Sequence, residues 1–76
     1  MNNVRRKELD NIIEELELLK QKIEFIMDDE QECFDNLSEG LQQSMRGQQM
    51  EEAVANLSLA VDSIDEVVSF IEDATI

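Results

Sequence analysis

Two runs of apolar residues spaced seven apart, separated by the only glycines in a proline-free chain, restrict this sequence more than any other feature. In the first arm Leu9, Leu16, Ile23 and Leu37 form a column that Glu30 interrupts. One flanking lane holds Ile12, Leu19, Ile26 and Cys33, and the other holds Ile13, Lys20, Met27 and Phe34. The second arm repeats the pattern with Met50, Leu57, Ile64 and Ile71, flanked by Val54, Val61 and Val68 and by Ala53, Ala60, Val67 and Ala74. A seven-residue apolar repeat puts one face of an α-helix into a core, and strands would need an alternation that neither arm shows. Proline is absent and Gly40 and Gly47 lie between the arms, so the chain has one place to turn.

The fold class predicted is all-α: a single domain over residues 1–76, built as an antiparallel, coiled-coil-like two-helix hairpin. The helices are expected over about residues 4–35 and 45–74, with a connection over about 36–44. Each arm would be on the order of 45 Å long. With the apex near Gly40, Leu9 faces Ile71, Leu16 faces Ile64 and Ile23 faces Leu57. Leu16, Ile23, Leu57 and Ile64 are therefore expected among the most buried residues. In "DNLSEGLQQS", Asn36, Ser38 and Ser44 are each able to cap a helix N-terminus. The segment reads as a helix end, one short turn around Leu37 to Leu41, and a new start near Ser44. Leu37, Leu41 and Met45 would close the looped end of the hairpin. Glu30 is expected to reach solvent near that end, where Arg46 could neutralise it.

A chain of 76 residues buries too little apolar surface to be comfortably stable alone. Disulfides within the chain are ruled out by a single cysteine, and the absence of histidine removes the usual structural zinc sets. Oligomerisation is the remaining support. The sole cysteine fits a reducing compartment, the basic N-terminal "RRK" has no signal-peptide apolar core behind it, and no run approaches a membrane span. A cytoplasmic location with no membrane partner is expected. The 19 acidic and 6 basic residues give a net charge of -13, and beyond Gly47 there are seven acids and no base. That field repels nucleic acid, so direct DNA or RNA binding is not expected.

Catalysis finds no footing in the residue types. Without histidine, the pairs that activate Ser or Cys nucleophiles cannot form. Cys33 on an apolar lane reads as a buried, inert thiol. Carboxylate pairs such as Glu14 with Glu17, or Asp62 with Glu66, read as solvated helix charges. "DDEQECFDNLSE" lacks the glycine and the alternating ligands of a calcium loop. The expectation is no enzyme, no cofactor and no metal.

Leu18 and Phe25 in the first arm and Leu59 and Phe70 in the second lie off the hairpin stripes, and two of the three aromatics are among them. A lone hairpin uses one side of each helix, so packing a second hairpin on these four positions would complete a four-helix bundle. A homodimer is predicted, with Leu18, Phe25, Leu59 and Phe70 as the dimer or partner interface.

The segments "RRKELDNIIEELELLKQKIE", "DEQECFDNLSEGLQQSMRG" and "EEAVANLSLAVDSIDEV" together resemble a group of small acidic proteins encoded by bacterial phages and integrating mobile elements. Such proteins often carry proline where this chain has Ser38, within "NLSE". The resemblance implies a helical hairpin and a mobile-element setting, and it carries no catalytic residues. The function expected is a small acidic protein–protein interaction module that binds a phage or host protein. The competing reading is a DNA mimic that inhibits a host nucleic-acid-binding defence or repair protein.

Overall fold

In a computed structural model of residues 1–76, two long helices pack side by side. Helix α1 spans Asn3–Asp35, α2 is a single turn over Glu39–Gln42, and α3 spans Met45–Ala74. There are no strands, and no helix is long and apolar enough to cross a membrane. The predicted boundaries agree with these to about a residue, and the short turn inside the connection is α2.

Local chemistry accounts for each helix end. Asn2 caps α1 through its side-chain oxygen, which accepts from the Arg5 N–H at 2.8 Å. The helix stops at Asn36, whose own N–H bonds back to the Glu32 carbonyl, while the Leu37 N–H bonds to that of Phe34. Ser38 is extended, with φ -62° and ψ 157°, and restarts the chain into α2 without a side-chain cap bond. Gln42 then donates from Nε2 to the Phe34 carbonyl at 3.1 Å, a second bond to an acceptor in the last turn of α1 that ties the connection to it. Ser44 begins α3: its Oγ accepts from the Gly47 N–H at 3.3 Å and donates to the Leu41 carbonyl. At the far end Thr75 Oγ1 donates to the Glu72 carbonyl at 2.8 Å.

Side-chain exposure identifies the seam between α1 and α3. The α1 column of Leu9, Leu16, Ile23, Glu30 and Leu37 is half-buried, and so is the Ile13, Lys20, Met27 and Phe34 lane. On α3 the Met50, Leu57, Ile64 and Ile71 column is half-buried, and so are Val54 and Val61 of the valine lane, whose third member Val68 is 6% exposed. Each helix thus presents two lanes, four and three residues apart in alternation, which is the seam of a two-stranded coiled coil.

Three expectations about burial need correction. Leu16, Ile23, Leu57 and Ile64 are half-buried, and Val68 and Gly47 are the buried residues, because a two-helix seam covers each column from one side only. Leu41 and Met45 are 51% and 75% exposed, so Leu37 alone of the three turns inward; Leu41 lies on the outer side of α2 and Met45 at the exposed first position of α3. Glu30 is half-buried as a column position, yet Arg46 makes no ion pair with it and stays exposed.

The result is a long, thin molecule of 58 × 15 × 11 Å with a radius of gyration of 17.3 Å. A globular chain of this length would have a radius of gyration of about 11 Å. Its accessible surface is 5796 Å², where a compact monomer of 8.8 kDa would expose about 4,800 Å².

Candidate interaction surface

The only ion pairs in the molecule define one side of the hairpin. Lys20 Nζ lies 2.9 Å from Asp65 of α3 and 3.2 Å from Glu17 one turn back on α1. Side chains lean toward a helix's N-terminus, so Lys20 meets Asp65 near the level of Glu17, within a turn of the register read from the repeats. Hydrogen bonding to Asp65 and then to Glu17 raises the Lys20 pKa above the ordinary lysine value, opposed by partial desolvation. Asp10, Glu17 and Glu24 of α1 and Glu51, Asp65 and Glu72 of α3 share this side by their seven-residue spacing. It is an acidic edge with one lysine set into it.

The opposite side is apolar. Ile12, Leu19 and Ile26 of α1 are 42%, 51% and 61% exposed, and Val67 of α3 is 44% exposed. Cys33, the last member of that α1 lane, is exposed too. The thiol expected to be buried is therefore at the surface, because α3 approaches α1 over the Lys20 lane and leaves the Leu19 lane outside. Sequence reasoning recognised this lane as apolar and assigned it to the core; only the direction of α3's approach separates the two flanking lanes.

Of the predicted interface residues, Leu18 is 55% exposed, Phe25 76%, Leu59 63% and Phe70 72%. Leu18 and Phe25 lie two residues past the α1 column, and Leu59 two past the α3 column, about 200° round the helix and hence on the two backs of the hairpin. Phe70 lies one turn from Val67 and borders the apolar side. The hairpin does not gather these four into one strip.

The surface has no pocket, and no three metal-ligating side chains converge. Of the 19 carboxylates only Glu17 and Asp65 are in ion pairs, which leaves 17 without a basic partner.

That imbalance sets the pH response. Like charges on a compact chain repel, so the melting temperature is expected to rise on going from pH 8 to pH 5, and to rise with added salt at pH 8. Lys20 does not alter the sign: a lysine whose pKa is raised by folding contributes fully below the ordinary lysine value and loses its contribution only as pH climbs through the raised one. Calorimetric melts at the two pH values decide the matter, and a lower melting temperature at pH 5 would show that carboxylate bonds outweigh the repulsion.

No family model, no curated protein and no solved structure matches the chain.

Proposed function

We propose that this chain is a small acidic protein–protein interaction module: a helical hairpin that pairs into a four-helix bundle and acts by binding a phage or host protein, without catalysis of its own. The observation that carries the reading is the inversion of its apolar residues. Thirteen large hydrophobic side chains are exposed, while Val68 is the only buried one. Scattered exposed leucines are ordinary, but lanes of them along an elongated hairpin are surface that association covers. The mobile-element setting and cytoplasmic location belong to the same proposal and rest on the resemblance and the residue content.

A DNA-mimic reading draws on the 17 unpartnered carboxylates, four of which, Asp10, Glu24, Glu51 and Glu72, line one edge by their spacing. The two readings separate by salt. Tagged protein is used to capture partners from the native host at 50 mM and 300 mM salt, with Phe25→Ala in parallel. A module anchored by apolar side chains keeps its partner at 300 mM and loses it on truncation of Phe25. A mimic loses its partner with salt and is indifferent to Phe25, because charge–charge attraction is screened within about 10 Å at 0.1 M.

A further inference from the structure

We infer that a second copy of this chain seats on the face formed by the Leu19 lane and the alanine lane, with the two hairpins parallel, loops at one end, and α1 of each copy lying over α3 of the other. The inference deepens the proposed function by assigning its pairing surface, and it replaces the Leu18, Phe25, Leu59 and Phe70 strip with a different one.

The shape of the face carries the first step. At the register of the hairpin, Ile12 lies level with Val67, Leu19 with Ala60 and Ile26 with Ala53. The α1 half therefore stands up as branched side chains 42–61% exposed, and the α3 half is low at Ala53 and Ala60, half-buried beside it, and rises only toward the free end at Val67, 44% exposed. A ridge beside a trough is self-complementary under one operation, a two-fold axis along the hairpin. That rotation carries each ridge over the partner's trough at the same level, with α1 antiparallel to the partner's α3. A two-fold across the hairpin would set ridge on ridge and leave the alanines facing one another across a gap.

Charge supports the same face. The seven acids of α3 all lie on its edge with Asp65 or on its back; none occupies the alanine lane or the adjoining Gln49, Asn56, Ser63 and Phe70 positions. Pairing here buries no α3 carboxylate and turns both Asp65 edges outward, while Glu8, Glu15 and Asp29 of α1, with Lys22 among them, stay at the exposed rim beside the Leu19 lane.

Size decides in favour of a second copy. Three apolar lanes per helix are the pattern of a helix in a bundle, whereas two suffice for an isolated coiled pair. The chain exposes about 1,000 Å² more than a compact monomer of its mass would, and a stable interface covers about 800 Å² per partner. One further hairpin is what that surplus accommodates.

Sedimentation equilibrium on the unmodified chain at tens of micromolar is expected to give about twice 8.8 kDa. Leu19→Asp is expected to weaken the dimer by at least about 100-fold, whereas Phe25→Asp leaves it within a few-fold. A spin label on Cys33 of the otherwise unmodified protein reads the orientation without a core substitution. Parallel hairpins put the two labelled backbones roughly 15 Å apart across the bundle. Hairpins related by a two-fold across their length would separate them by about 40 Å. A dimer that Phe25→Asp dissociates and Leu19→Asp does not, or the longer distance, overturns the inference and leaves the proposed pairing intact. A monomer overturns both, and partner capture dependent on Phe25 would then be what survives of the proposed function.

Discussion

Val68→Asp is expected to abolish folding. Val68 is 6% exposed, in the seam between α1 and α3, and it is the most completely buried apolar side chain of the protein. Losing a valine's burial costs about 1.5 kcal/mol. A carboxylate forced into the same apolar seam adds several kcal/mol more through its lost hydration. Stability of roughly 0.05–0.15 kcal/mol per residue amounts to about 4–11 kcal/mol for 76 residues. The substitution removes most or all of it. Far-UV circular dichroism at 25 °C should show the helical signal lost. Ser69→Asp adds the same charge one residue along at an exposed position, and should change stability by no more than about 0.5 kcal/mol. Full helicity in the Val68 variant would mean that the valine lane does not face α1.

Opposite responses are expected from the two glycines. In an exposed helix, Gly→Ala stabilises by about 1 kcal/mol because alanine has less backbone freedom to lose. Gly40, in α2, has open space where a Cβ would go, so Gly40→Ala should gain about 0.4–1 kcal/mol. Gly47 is buried in the first turn of α3. A Cβ there would overlap the Gln42 carbonyl oxygen and come within 2.6 Å of the Gln42 carbonyl carbon and the Leu41 oxygen. These are backbone atoms, so α2 must shift or the first turn of α3 must fray. Gly47→Ala should therefore destabilise by roughly 1–3 kcal/mol despite alanine's helix preference. Urea midpoints for the two variants test the seating of α2 directly. A stabilised Gly47→Ala protein would show that α2 does not rest against α3.

Gly47 also marks where reading the chain stops being enough. The repeat alone required two helices, and the cluster of glycine, serine and asparagine between them placed the turn, because a seven-residue period and helix-breaking residues are local properties. Charge was equally legible: a chain with 6 bases cannot pair 19 acids, and the acidic edge follows from which repeat positions they hold. What no window of sequence contained was the side from which α3 approaches α1. Both lanes beside the α1 column are apolar enough to be buried, and the Leu19 lane is the more apolar of the two. The structure nevertheless turns the one containing Lys20 into the seam, half-buried, and exposes Leu19 and Cys33.

That choice is tertiary. The connection, with α2 wedged under Gly47 and Gln42 holding the end of α1, fixes the angle at which α3 starts back. A helix laid against another covers only two of the three apolar lanes. Lys20 is tolerated at the edge of the seam because Asp65 comes from α3 to meet its ammonium, a contact between residues 45 positions apart. The sequence by itself determined that there would be two helices and three apolar lanes on each; which lane is left exposed depended on packing between distant segments, since burial is a property of a pair of surfaces and a periodicity describes only one.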